Sequence, residues 1–197
     1  MARAGLTPER LTRAAAQIAD ERGFDAVTVA ELARHFDVKP ASLYSHIAST
    51  GDLRARVAML ALEEMAGLSA EAVAGRARAE AVSALGNSYR DYARAHPGRF
   101  AATQYRLDPA AAAASAGPRH SALSRAILRG YDLGQEEATH AVRLLGSTFR
   151  GFVDLERAGG FAHGAPDAEE SWNAILLGLH TLLAHWPSHP APEGPHV

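Results

Sequence analysis

The chain has 197 residues and a mass of 20.8 kDa, and 47% of it is apolar. That is enough for a proper core in a single compact unit, or in a small head joined to a larger body, and too little for a multidomain enzyme. The absence of cysteine excludes a disulfide framework, a thiolate zinc site and a cysteine nucleophile together. The net charge of −2 argues against a nucleic-acid partner, because such modules usually carry a basic excess.

Alanine dominates and aromatic residues reach only 7%, so helix formers outnumber strand formers and the expected fold class is all-α. No run approaches the 18 apolar residues of a membrane span, and the opening Met1 to Leu6 lacks an apolar core of signal-peptide length, so a cytoplasmic protein is expected. The basic residues are arginines except for one lysine, Lys39. Together with the alanine content, this skew reads as the codon bias of a GC-rich genome.

In chain order, the first helix opens at Thr7-Pro8-Glu9, an N-cap, a proline at the first helical position and an acid in the first turn. It carries Leu11, Ala15, Ile18 and Ala19 on one face and stops at Gly23. Thr28-Val-Ala-Glu31 has the spacing of a capping box and starts a helix through Leu32 and Ala33 to about His35. Pro40 starts a short third helix through Ala41, Ser42, Leu43 and Tyr44, and Ser49-Thr-Gly-Asp52 starts a fourth through Leu53, Val57, Leu60 and Met65.

Longer helices of bundle size follow. One spans about 77–96 and is closed by Pro97-Gly98, and a shorter one carries Phe100 and Tyr105. The alanine run 110–114 reads as a surface excursion, although polyalanine can equally extend a helix. Helices are then expected at about 119–133, 135–158 and 167–186, divided by Gly134, Gly159-Gly160 and Pro166, before a flexible proline-rich tail over 187–197.

The helix from Thr28, the tight connection through Phe36-Asp37-Val38 and the short helix from Pro40 form a helix-turn-helix pattern, whose second member enters the DNA major groove. Thr28-Val-Ala-Glu-Leu-Ala33, Val38-x-Pro-Ala-Ser-Leu-Tyr-x-His46 and Asp52-Leu53 resemble the DNA-binding head of the TetR family of bacterial transcriptional regulators. The resemblance covers about residues 6–65. It implies a three-helix DNA-binding head over 1–50 with the motif at 28–47, and a helical-bundle regulatory and dimerisation domain over 51–186. It also implies a homodimeric, ligand-responsive regulator of double-stranded DNA, usually a repressor of a palindromic operator, with no cofactor and no enzymatic activity.

In such a head Leu32, Val38 and Leu43 pin the second helix to the third. Ala41 and Ser42 are small enough for close approach to base edges, and Tyr44 and His46 project towards the sugar-phosphate backbone. Thr28, at a helix N-terminus, suits a phosphate as well as serving as the cap. Lys39 stands ahead of Pro40, where the family usually has serine or another small polar residue. A cation there opposes the helix dipole without capping, so a guanine edge or a phosphate is its expected partner. Thr50 departs the other way, since the family commonly places lysine there, and its hydroxyl offers only a neutral contact.

Residues 1–56 hold eight basic and seven acidic groups, and residues 57–197 hold twelve and fifteen. The head is therefore barely basic. Arg3, Arg10, Arg54, Arg56 and Lys39 are left to form a positive edge, with Arg3 in a leader able to reach a minor groove, and a modest salt dependence is expected.

In the body, the last helix places Trp172, Ile175, Leu176, Leu179, Leu183 and Trp186 on one stripe, and Ala174, Leu177, Gly178, Thr181 and Ala184 opposite. The preceding helix puts Val142, Leu145, Phe149 and Phe152 on one face and contains Gly146 and Gly151. Two such helices from each of two subunits would make a four-helix dimer interface, with Val142, Gly146, Phe149, Leu177, Gly178 and Thr181 as contact residues. The alternative is that both helices are simply core.

The segment Tyr89-x-x-Tyr92-Ala-Arg-Ala-His-Pro97-Gly-Arg-Phe100, with Gly151-Phe152 to Phe161, resembles a group of these regulators whose bodies enclose a small-molecule cavity. Tyr89, Phe100, Gln104, Tyr105, Tyr131, Ser147 and Thr148 are the candidate lining, apolar with a few hydrogen-bonding groups. His180, His185, His189 and His196 lack the spacing and the accompanying acid of a helical zinc site, so no metal is expected. Gly159-Gly160 follows a helix and reads as a C-cap. The competing function is a helical adaptor that has lost specific DNA binding.

Overall fold

The computed structural model describes residues 5–187. The leader with Arg3, and the tail from residue 188 with His189 and His196, lie outside the described residues. Nine α-helices and no strand occur among the described residues. They are α1 (Pro8–Arg22), α2 (Val29–His35), α3 (Thr50–Val73), α4 (Arg78–Ala95), α5 (Pro97–Ala102), α6 (Pro109–Ala114), α7 (Gly117–Leu128), α8 (Gln135–Arg157) and α9 (Ala168–Ala184).

The chemistry of the helix ends decides where they fall. Thr7 Oγ1 accepts from the Arg10 amide at 3.2 Å with Pro8 at the first helical position, and α1 ends at Gly23, whose φ of 88° is open to glycine. Thr28 caps α2 by accepting from the Glu31 amide at 3.1 Å, but the reciprocal half of a capping box is missing because the Glu31 carboxylate pairs with Arg22 and Arg34. Ser49 caps α3, and Asp52 turns to the Ala48 amide at 2.9 Å rather than to the amide of Ser49. Asp167 and Glu170 form the full box on α9. Gly159, with φ 77°, follows the C-cap of α8.

Three expectations need correction. The segment from Pro40 is a 3-10 turn over Pro40–Ser42, continued by turns to His46, rather than a helix reaching Tyr44. Proline, alanine and serine begin either kind of helix, and Leu43 and Ile47, four residues apart and joined by the Ile47 amide donating to the Leu43 carbonyl at 3.0 Å, still turn inward together. The alanine run forms the short, largely exposed α6, capped by Asp108 accepting from the Ala110 and Ala111 amides at 3.0 and 2.9 Å. The helix expected over 119–133 begins at Gly117, ends at Leu128 and passes into a 3-10 turn through Tyr131.

The head's core packs Leu11, Ile18, Val29, Leu32, Leu43 and Ile47 against Leu53, Val57 and Ala61 of α3, and Ala102 from the body completes it. The first half of α3, a 24-residue helix, thus belongs to the head's core, beyond the boundary expected at residue 50. In the body, Leu85, Leu145, Phe149, Phe152, Trp172, Leu176 and Leu183 close a second core between α4, α8 and α9. Beside it lies Arg90, only 3% exposed, with Nε and Nη2 donating to Glu156 at 3.0 and 2.6 Å and Nη1 donating to Glu169 at 2.7 Å. This double carboxylate ties α4 to both α8 and α9.

Candidate functional site: nucleic-acid interface and adjoining cleft

The head presents a short reading segment on a buried anchor. Leu43 and Ile47 are 0% and 1% exposed and lock the segment to α2, while Lys39, Ala41, Ser42 and Tyr44 are exposed and His46 is half-buried. The turn between the two members is made by Asp37 at φ 51° and by the Val38 amide donating to the Ala33 carbonyl at 3.0 Å. Lys39 is the N-cap residue of the Pro40 turn, and its side chain makes no capping bond. Thr28 and Thr50 meet at the start of α2, where Thr50 Oγ1 accepts from the Val29 amide at 3.4 Å. The hydroxyl expected to face a phosphate is therefore held, loosely, by the helix N-terminus.

The expected positive edge is partly drawn into the fold. Arg54 donates to the Val27 and Asp25 carbonyls at 3.0 and 2.7 Å, Arg56 pairs with Asp52 at 2.9 Å, and the Arg10 guanidinium stacks on Phe36 at 5.2 Å. Lys39 has no hydrogen bond or ion pair among the described residues. Among the described cations assigned to that edge, Lys39 is the one exposed on the reading segment.

Behind the head lies a cleft of about 550 Å³ between α3, α4, α7 and α8 and the end of α5. The structure brings together three of the expected lining residues, Tyr89, Gln104 and Ser147, with Leu62, Met65, Thr103, Gly117, His120, Arg143, Gly146, Arg150 and Gly151. Phe100 is fully buried beneath the Arg150 guanidinium, 4.1 Å from it, and exposes nothing to the cleft. Tyr105 packs edge-on against Phe24 of the head at 5.8 Å. Tyr131 lies beyond α7, bonded to His180 at 2.9 Å and covered by Arg78. Thr148 is half-buried on α8 outside the lining.

Polar groups in the cleft are held in fixed roles. His120 Nε2 donates to the Leu62 carbonyl at 3.1 Å, which leaves Nδ1 to accept from the Tyr89 hydroxyl at 3.4 Å. Burial lowers the pKa of His120 and raises that of Tyr89, so both are neutral at pH 7. Arg150 Nη2 donates to the Phe100 carbonyl at 3.1 Å and to the Thr103 hydroxyl, and Nε and Nη2 lie 2.9 and 3.0 Å from the Gln104 amide oxygen. Sequence reasoning missed Arg143, Arg150 and Gly151. Their signal was the seven- and eight-residue spacing that sets them on one face of α8 with Ser147.

The short α5 joins cleft to head. Gly98 lies so close to α1 that a Cβ there would stand 1.8 Å from the Ala19 carbonyl oxygen. Arg99 donates to Asp20 of α1 through its amide and Nε, both at 2.8 Å, and to Glu64 of α3 at 3.0 Å. The other end of the same element, at Phe100 and Thr103, is held by Arg150.

The outer faces of α8 and α9 remain open. Leu177 is 65% and Leu155 55% exposed, and Gly178, Thr181 and Ala174 are exposed too, whereas Gly146, also expected at a dimer contact, lines the cleft. Two of the residues expected at a dimer contact are instead held by the core. Phe149 is 1% exposed between Tyr89 and Trp172, and Val142 packs half-buried against the same core, because the pull of Leu145 and Phe152 turns that stripe of α8 inward. No cluster of metal-binding side chains and no helix long and apolar enough to cross a membrane occur among the described residues.

A helix-turn-helix head with an exposed reading segment, carried on a helical bundle with its own cleft, defines a DNA-binding transcriptional regulator. Residues 11–57 match the model for bacterial regulatory proteins of the tetR family, and residues 82–179 match that for a tetracyclin repressor-like C-terminal domain. The chain is 36% identical over 160 residues to the uncharacterized HTH-type transcriptional regulator Rv0681 of Mycobacterium tuberculosis, covering 79% of this chain and 72% of that protein. It belongs to the TetR family, whose members are regulators rather than enzymes.

The fold is also that of BioQ from Mycobacterium smegmatis, whose structure with its double-stranded DNA operator superposes with a TM-score of 0.67 at 23% identity. That match covers 91% of this chain and 99% of BioQ. ActR of Streptomyces coelicolor, in complex with (S)-DNPA, gives a TM-score of 0.64 at 20% identity over 92% of this chain and 98% of ActR.

Proposed function

We propose that the protein is a homodimeric repressor that binds a palindromic operator through its two heads and is released by a small molecule held in the cleft. The observation that carries this reading is the double attachment of α5, to α1 through Gly98 and Asp20 and to the cleft through Arg150. A ligand that displaces Thr103, Gln104 or Arg150 moves α5, and α1 must follow because the contact at Gly98 has no slack. The head then leaves the spacing that two successive major grooves demand. BioQ bound to its operator and ActR bound to (S)-DNPA are relatives by fold for the two states this requires.

In this reading Lys39 contacts a guanine edge or a phosphate, and Ala41 and Ser42 lie against base edges. Tyr44 and His46 reach the sugar-phosphate backbone, and Thr28 and Thr50 flank a phosphate at the start of α2. Leu177, Gly178 and Thr181 supply the contact between subunits, since an exposed stripe of small and apolar residues along α9 suits packing against the same helix of a second copy.

The test is retention of the purified protein on DNA from its own upstream region, with random DNA as competitor, followed by footprinting. A two-fold symmetric footprint, bound by a dimer, is the expected result. Failure to retain any such fragment above random DNA favours the adaptor reading instead.

A further inference from the structure

The sheltered arginines of the body come in two kinds. Arg90, with a 3% exposed side chain, faces Glu156 and Glu169, and Arg99, 21% exposed, faces Asp20 and Glu64. Arg150 is as sheltered, at 19%, but its hydrogen bonds go to neutral groups, the Phe100 carbonyl, the Thr103 hydroxyl and the Gln104 amide, and its one ion pair is long. Its nearest carboxylate, Asp154, stands 3.7 Å from Nη1 and is itself half exposed. A sheltered guanidinium whose one counter-ion is distant, half exposed and shared with Arg157 is left with charge to spare for a second anion.

The surroundings point the same way. The cleft wall holds a second guanidinium, Arg143, which has no partner among the described residues, and it holds no carboxylate. Arg143 stands two helical turns before Arg150 on the same face of α8, about 10 Å away along the axis, at the exposed rim. Between and beside them are Gly146 and Gly151, where an added Cβ would meet nothing within 4 Å, so the helix leaves a bare groove there. Leu62 and Met65 line the cleft as apolar surface.

We infer that the cleft takes a small organic acid, its carboxylate paired with Arg150 and its apolar body lying along Leu62 and Met65 in the space left by Gly146 and Gly151. Arg143 at the rim draws the anion in, and the Gln104 amide nitrogen is free to donate to it while its oxygen is held by Arg150. An amine finds no counter-charge in this wall, and a neutral amide leaves the guanidinium as it was. The acid's role as effector rests on the function proposed above, whereas the acid's binding does not.

The experiment is calorimetric titration of the full chain with benzoate, 2-naphthoate and decanoate, each beside the primary amide and the amine of the same skeleton, at pH 7.5. At least one carboxylate is expected to bind, about tenfold or more tighter than its amide and its amine. Arg150→Gln should abolish that preference. Should that variant fail to fold, Arg143→Gln, at an exposed position, should narrow the preference by about threefold and flatten its salt dependence.

The inference is overturned if no carboxylate binds, if amides or amines bind as tightly, or if folded Arg150→Gln keeps the preference. With Arg150→Gln unfolded, an unchanged preference in Arg143→Gln overturns it. Operator affinity, read separately, divides this inference from the broader one. An acid that binds without weakening DNA binding leaves the acid site intact and removes its effector role. Release by an amine or a neutral compound, with no acid bound, does the reverse.

Discussion

Replacing Gly98 by alanine probes the seam between regulator body and DNA-binding head. The added Cβ would lie 1.8 Å from the Ala19 carbonyl oxygen, 2.0 Å from its carbon and 2.6 Å from the Asp20 nitrogen, all backbone atoms that no rotamer change can move aside. Real Cβ contacts essentially never fall under 3.0 Å, so α5 and α1 must part by about 1.2 Å. That lengthens the two 2.8 Å bonds from Arg99 to Asp20 to about 4 Å, beyond hydrogen-bond range.

Losing two charge-assisted bonds, discounted for the water that then reaches Asp20, costs about 3 kcal/mol, or a melting temperature roughly 6–12 °C lower for a chain of this size. Thermal unfolding followed by circular dichroism reads the change directly. Gly67→Ala is the control. It lies exposed on α3 with nothing within 4 Å of the new Cβ, and should gain about 0.5–1 kcal/mol. A Gly98→Ala protein that melts within about 2 °C of the parent would refute the reasoning, because the two helices would then have slack that the geometry denies.

Four further outcomes are expected. Lys39→Ala should weaken operator binding about tenfold and reduce the slope of log affinity against log salt by about one, measured by fluorescence anisotropy; an unchanged slope excludes a phosphate contact. Arg90→Met should destabilise by about 2–3 kcal/mol in urea unfolding, less than for a fully buried pair because Glu169 is largely exposed and can rehydrate.

Because burial holds the folded pKa of His120 below 6.5, the unfolded chain takes up a proton first as pH falls through 6.5. Stability should therefore decline from about pH 6.5 downward and be flat above. Glu156, held below 4.5 chiefly by Arg90, gives its own loss only at lower pH, and His120→Phe should erase the upper step alone. Leu177→Glu should turn the proposed dimer into a monomer in analytical ultracentrifugation without lowering the melting temperature of the subunit, since that side chain is 65% exposed within one chain.

The ends of the helices were legible in the sequence because they are set by local chemistry. Thr7, Thr28 and Ser49 all cap where their spacing predicts, and Gly159 takes the positive φ that a C-cap demands. The reading segment was legible as a motif but not as a conformation, since the same proline and small residues start a 3-10 turn as readily as an α-helix.

The cleft was less so. Its wall draws on five helices, and periodicity tells which stripe of α8 is apolar but not that the stripe carrying Arg143, Ser147 and Arg150 meets the end of α5. Aromatic content misled at Phe100 and Tyr105. One is core beneath a guanidinium and the other braces the head, because large rings are first claimed by burial. Gly98 was visible only as a helix breaker, whereas its use is the close approach of two backbones.

Lys39 is the only lysine in the sequence, and it is exposed on the segment proposed to face DNA. The chain therefore carries a single ε-amino group, placed where operator contact would shield it. Beyond the α-amine, an amine-selective acylating reagent should report occupancy of that face by one mass increment, and enzymatic acetylation of a lysine side chain has one address available, at which it would remove the charge of the sequence's one lysine.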